Sequence, residues 1–92
     1  MLEIDMFFVA LLKMKGKVTQ AFIEATQKAC KSPPPGIKYH SVFCTLGQYD
    51  FVITFEAPDE KEAMKWAMPW AEFCETQTMV AVSYEEALKL LK

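Results

Sequence analysis

The sequence predicts an α+β domain in which an antiparallel four-stranded sheet carries its helices on one face. Short apolar runs of strand length alternate with longer stretches of helical period. Prolines and polar turns separate these segments, and their order along the chain is β-α-β-β-α-β with a short C-terminal helix. A length of 92 residues is that of one domain, which is expected to span residues 1–92.

The first strand and the first helix follow from a change in period. Residues 6–12 are continuously apolar, as in a strand that is buried on both faces. From Lys17 onward, apolar residues recur at helical spacing and predict an amphipathic helix of about four turns. Prolines at positions 33–35 end this helix, because proline lacks the amide donor and disfavours helical geometry in the residue before it.

The second strand is predicted over residues 37–46. Simple alternation places Tyr39 and Phe43 on one face and Val42, Cys44 and Leu46 on the other. Each face of this strand therefore carries large apolar side chains.

The third strand is predicted over residues 49–55, where one face carries Tyr49, Phe51, Ile53 and Phe55 and the other carries Asp50, Val52 and Thr54. Only Gly47 and Gln48 separate it from the second strand. So short a connection predicts a tight antiparallel hairpin.

The second helix has a clear beginning and a predicted interruption. Asp59 is the expected N-cap, with Glu62 three residues further on. Pro69 costs roughly 3 kcal/mol inside a straight helix, so a kink or break is expected near Met68.

The fourth strand is predicted over residues 77–83, and Ser83 with Glu86 repeats the capping pattern before the last helix. The complete order is the ferredoxin-like βαββαβ arrangement, which leaves one sheet face without helices. Because the first three strands are apolar on both sides, we expect this face to pack against a second copy of the chain. The predicted assembly is a homodimer of the dimeric α+β barrel type, or a higher homo-oligomer.

Charge and composition narrow the range of partners. Ten basic and twelve acidic residues give a net charge of -2 without a basic block, so no nucleic acid is expected. No apolar run is long enough for a membrane, and no basic leader precedes the first run, which predicts a soluble cytoplasmic protein. The three cysteines lack the paired spacing of metal or dithiol sites. They are interpreted as buried reduced thiols, and no metal or other cofactor is expected.

Residues 45–53 (TLGQYDFVI) and 56–60 (EAPDE) carry a family resemblance. They resemble the GYD-domain family of small, mostly uncharacterised bacterial and archaeal proteins. The same passage is similar, more weakly, to the effector-binding domain of leucine-responsive regulators, whose members dimerise and bind amino acids between subunits near the equivalent turn. The resemblance implies a fold and self-association, and it implies no settled activity.

The turn itself supplies the first candidate ligand-binding residues, Gly47, Gln48, Tyr49 and Asp50. Asp50 is interpreted either as a ligand anchor or general base, or as an acceptor for backbone amides around the turn. Tyr49 is either a core aromatic residue with its hydroxyl at the rim, or a ligand contact.

Tyr39 and His40 complete the candidate set. The leading hypothesis is an oligomeric, non-enzymatic module that binds a small metabolite or a partner at a subunit interface near the turn. The alternative is a small cofactor-independent enzyme of the monooxygenase or isomerase type, with Tyr39, His40 and Asp50 near a cavity between sheet and helices. Trp66 and Trp70 are interpreted as a core stripe or, alternatively, as the lining of an apolar pocket. A third hypothesis is an assembly protein with no pocket.

Overall fold

A computed structural model describes residues 5–91 and shows an α+β, ferredoxin-like fold, as predicted. The sheet order is β2-β3-β1-β4, and every neighbouring pair is antiparallel. The strands are Met6–Met14 (β1), Lys38–Cys44 (β2), Phe51–Ala57 (β3) and Cys74–Ala81 (β4), and the helices are Gln20–Lys31 (α1), Glu60–Ala67 (α2) and Tyr84–Leu90 (α3).

The hydrophobic core lies between the sheet and the α1 and α2 helices. Alternate residues of the two central strands point into it, as the period of two predicts. The Phe55 ring is fully buried and packs 4.4 Å from the Trp66 ring, measured between centroids. The other buried core residues are Phe8, Ala10, Leu12, Phe22, Ile37, Ile53, Ala57, Ala63 and Cys74.

The α1 helix is attached to the sheet by few large side chains. It begins after Thr19, whose hydroxyl accepts a hydrogen bond from the Phe22 amide (3.1 Å). Phe22 is the one buried residue of this helix. The next inward positions hold Ala25 and Ala29, which are too small to fill the space between helix and strands.

The predicted break in the second helix is confirmed. Asp59 caps α2 by accepting a hydrogen bond from the Glu62 amide (2.9 Å). Regular α-helix ends at Ala67, and a 3₁₀ turn over Met68–Glu72 follows. Pro69 stands near the start of that turn, where its missing amide costs least.

The predicted faces of the second strand were wrong, because β2 contains a bulge at His40. The pairing with β3 skips this residue, between Tyr39 and Ser41. An extra residue reverses the alternation beyond it. Tyr39 therefore shares the helix-covered face with Val42, while Phe43 lies on the opposite face.

The predicted two-residue hairpin was also wrong. β2 ends at Cys44 and β3 begins at Phe51, so residues 45–50 form a wider loop. The Thr45 amide donates to the Asp50 carbonyl (2.8 Å), and the Thr45 hydroxyl donates to the Tyr49 carbonyl (2.6 Å). Gly47 has a φ of 111° in this loop, a conformation that favours glycine.

The fourth strand starts three residues earlier than predicted and ends two residues earlier. Cys74 pairs with Met14 and Glu75 pairs with Lys13, which extends both β1 and β4 beyond their predicted ends. Ser83 lies outside the strand, and its hydroxyl caps α3 as predicted. Within residues 5–91, no helix combines the length and the apolar character that spanning a membrane requires.

Candidate functional site

Asp50 joins the 45–50 loop to the central strand. Its carboxylate accepts a hydrogen bond from the Met14 amide (2.7 Å), and its own amide donates to the Leu12 carbonyl (2.8 Å). Both bonds stabilise the end of the sheet. Asp50 therefore accepts a backbone amide, as one interpretation predicted. That amide belongs to β1, whereas the interpretation placed it in the turn.

Gln48 and Tyr49 lie beside a polar recess of about 330 Å³ at the edge of the sheet. Lys13 and Glu75, which are cross-strand neighbours, bring a cation and a carboxylate to the same recess. The Tyr49 hydroxyl donates to the Gln77 side-chain carbonyl (3.0 Å). This rim recess therefore offers both charges and several polar groups to a ligand.

The cysteines divide into one buried and two exposed thiols. Cys74 is buried, and its Sγ lies 3.6 Å from the Met14 sulfur. Burial raises the pKa of the Cys74 thiol; the nearby Asp50 carboxylate raises it further, and Lys15 opposes the shift. Cys30 and Cys44 are exposed, so the interpretation as buried thiols was wrong for these two.

Tyr39 and His40 lie on opposite faces of the sheet. The His40 ring stands 5.3 Å from the Phe7 ring and contacts the Glu56 carboxylate, on the face without helices. Both residues lie at the end of β2 that is away from the 45–50 loop, about 17 Å along the strand. The structure brings the turn residues together and does not bring Tyr39, His40 and Asp50 to one cavity.

The sheet face opposite the helices, hereafter the open face, has an apolar centre. Its side chains come from alternate residues of all four strands, with the register shown by the cross-strand pairs. The polar pair Ser41 and Thr54 share a hydrogen bond (2.5 Å) towards one edge. The apolar members are Phe7, Val9, Leu11, Phe43, Val52 and Met79.

A cavity of about 430 Å³, hereafter the α1 cavity, lies between α1 and the helix-covered face of the sheet. It exists because α1 presents small residues where the strands present large ones. Sequence reasoning left Trp66 and Trp70 mainly as a core stripe, and both in fact line this cavity. The small residue Ala29, which lines the cavity, was the signal in the sequence that space would remain beside this helix.

Tyr39 is the polar centre of the α1 cavity. Its hydroxyl accepts a hydrogen bond from the Trp66 indole N–H (2.6 Å). Desolvation by burial raises the pKa of Tyr39; the bond from Trp66 partly offsets this, and the Cys30 thiol adds to it. The hydroxyl is therefore neutral at physiological pH and keeps its own proton to donate.

The side chains of residues 5–91 form no group of three or more His, Cys, Asp or Glu residues that is suited to a metal ion. Fold and cavity together define a ferredoxin-like α+β domain with space for a small molecule between helix and sheet.

The chain belongs to the family described as domain of unknown function DUF3303, whose family model matches residues 6–92. Among solved structures it is similar to B. subtilis LrpC, with a TM-score of 0.67 and 13% sequence identity. The match covers 85% of this chain and 51% of LrpC, so the chain spans about half the length of that protein. No curated protein matches the sequence significantly.

Proposed function

We propose that the protein is a self-associating module that binds a small polar metabolite at the rim of its subunit interface, beside the 45–50 loop. The observation that carries the proposal is the open face. Phe43 is 60% exposed there and pairs with Val52 of β3, and partly exposed apolar residues continue the patch across β1 to Met79 of β4. An apolar surface that is continuous across a sheet marks an interaction site.

A second copy of the chain is the occupant that suits the open face best. Two identical sheets can bury the same patch on each other in a closed symmetric pair. The similarity in fold to LrpC, and the resemblance of the sequence to effector-binding domains of regulators, support the same assembly. The resemblance to the GYD-domain family stays part of this proposal.

The rim recess would become an interface site in such a pair. Lys13, Glu75 and Gln77 project from the open-face side of their strands, so a second sheet on that face would approach the recess. A lysine and a glutamate in one recess match a small zwitterion, such as a free amino acid. The amino-acid ligands of the leucine-responsive regulators support this choice of ligand.

Native mass spectrometry of freshly purified protein tests both parts of the proposal. The expected spectrum shows dimers or larger even-numbered assemblies, and amino acids added as a mixture bind to the assembly. Lys13→Gln and Glu75→Gln should weaken that binding at least about tenfold, because each removes one charge contact. Lys61→Gln on the exposed side of α2 is the matched control and should leave binding unchanged.

A monomer at all concentrations would remove the interface and with it the proposed ligand site. If the protein assembles but binds no amino acid, only the hypothesis of an assembly protein without a ligand site would remain. A cytoplasmic setting, in which the thiols stay reduced, belongs to the same proposal.

The enzyme alternative is favoured by one observation, the presence of a cavity between the helices and the sheet. Its proposed catalytic set is not gathered there, because only Tyr39 of the three residues reaches the cavity. A molecule bound in the α1 cavity would therefore not meet the other two proposed catalytic residues, His40 and Asp50.

A further inference from the structure

We infer that the α1 cavity is a second binding site, for an uncharged planar aromatic molecule that carries a hydrogen-bond acceptor. This site is separate from the rim recess and does not depend on it. The cavity lies on the helix-covered side of the sheet, whereas the recess lies at the edge beside the loop.

The size of the cavity sets an upper limit on the ligand. A volume of about 430 Å³ is within the range of small-molecule sites, which begins at about 300 Å³. One or two fused rings fit this volume. Water is a poor occupant, because most of the lining atoms are apolar and offer it few partners.

The shape and chemistry of the walls favour an aromatic ligand. The walls carry aromatic rings from α1, α2, the 3₁₀ turn and β3, namely Phe22, Trp66, Trp70 and Phe51. Neighbouring rings are tilted or edge-on to one another, with Trp66 and Trp70 centroids 6.4 Å apart. A flat ligand in contact with such rings gains the edge-to-face and offset contacts that aromatic pairs prefer.

The charge of the walls excludes an ionised ligand. Among the described residues that line the cavity there is no Asp, Glu, Lys or Arg side chain. An ion that enters would lose its hydration without a counter-charge. Lys28 and Lys65 line a smaller recess of about 280 Å³ beyond Tyr39, so the test includes an anionic probe.

Tyr39 supplies the directional contact. Its hydroxyl already accepts a hydrogen bond from Trp66, and among residues 5–91 no group accepts the hydroxyl proton. A carbonyl or ether oxygen on the ligand would accept that proton. Donation by a half-buried neutral hydroxyl selects for an acceptor on an otherwise apolar molecule.

Three naphthalene probes test these features separately. 2-Acetylnaphthalene has the ring and the acceptor, 2-ethylnaphthalene has the same shape without the acceptor, and 2-naphthoate is charged. The chain has two tryptophans, Trp66 and Trp70, and both line the cavity, so their indole N–H signals in a nitrogen-correlated NMR spectrum report on occupancy. The ketone should shift both signals, bind about fivefold more tightly than the hydrocarbon, and bind far more tightly than the carboxylate.

Two variants separate the hydroxyl from the cavity. Tyr39→Phe should remove the roughly fivefold preference for the ketone and leave binding of the hydrocarbon unchanged. Ala29→Leu should fill the cavity and abolish binding of both, with the rest of the spectrum retained. Phe43→Asp, on the open face, should leave binding of the ketone intact, which distinguishes this site from the proposed interface.

The inference is overturned if the ketone shifts neither indole signal, or if the carboxylate binds as tightly as the ketone. It is also overturned if the indole signals of the Phe43→Asp variant, which lacks the open-face interface, change on dilution of the protein alone. That result would mean that an apolar segment of a second copy, such as the exposed leucines of α3, occupies the cavity.

Discussion

Replacement of Phe43 by aspartate tests the role of the open face. The Phe43 side chain is 60% exposed and pairs across the sheet with Val52. Because it lies near the end of β2 on the helix-free side, its loss leaves the core between sheet and helices intact. Aspartate adds a charge that an apolar interface cannot hydrate.

The magnitude follows from the exposed area. A phenylalanine with about 200 Å² of surface, 60% of it exposed, has about 120 Å² left to bury in a dimer. At about 25 cal/mol per Å² this is about 3 kcal/mol for each ring and about 6 kcal/mol for a symmetric pair. If half of that area is buried, the loss is still about 3 kcal/mol, or about a hundredfold in the dissociation constant.

Sedimentation equilibrium over about a hundredfold range of protein concentration measures this change. Met64→Asp is the matched control, because Met64 is 59% exposed but lies on α2, away from the open face. The Phe43 variant should be monomeric where the wild type and the Met64 variant are dimeric. Identical association of all three proteins would refute the assignment of the open face as the interface.

Three further predictions concern residues whose contacts are well defined. Asp50→Ala should lower the free energy of unfolding by about 1–3 kcal/mol in urea titrations, because the Met14 amide loses its acceptor. Asp50→Asn should lower it less, and equal stability of the wild type and both variants would contradict this prediction. In a neutral solution of an aromatic disulfide reagent, two thiols should react quickly and Cys74 only on unfolding, since burial protects it and raises its pKa. Burial raises the pKa of Tyr39 above its ordinary value of 10.0, so the contribution of its neutral hydroxyl to folding is complete below about pH 10 and is lost as pH rises through the folded-state pKa. Above pH 10 the wild type should therefore lose stability more steeply than Tyr39→Phe, and parallel stability curves would contradict the shift.

The sequence predicts an element correctly wherever the residue pattern within a segment agrees with the way that the segment packs in the fold. Phe51, Ile53 and Phe55 alternate regularly, and their shared face was predicted correctly. The capping residue Asp59 and the break before Pro69 were also predicted, because each acts on its own neighbours in the chain.

The errors arise where distant groups decide the local structure. The bulge at His40 depends on how β2 pairs with β3, and no residue type in the strand indicates it. The wide loop depends on bonds that Thr45 makes to residues four and five positions away. The α1 cavity depends on the distance between a helix and a sheet, which side-chain spacing along either element does not determine.

The open face and the α1 cavity lie on opposite sides of the same strands. Neighbouring residues of β3 illustrate this, since Val52 lies on the open face and Ile53 lines the α1 cavity. Packing of a second copy on one side would restrict the motion of side chains on the other, because interiors are close-packed and transmit displacement. Assembly would therefore fix the floor of the cavity, while α1, held by the single buried ring of Phe22, keeps the freedom to move for a ligand.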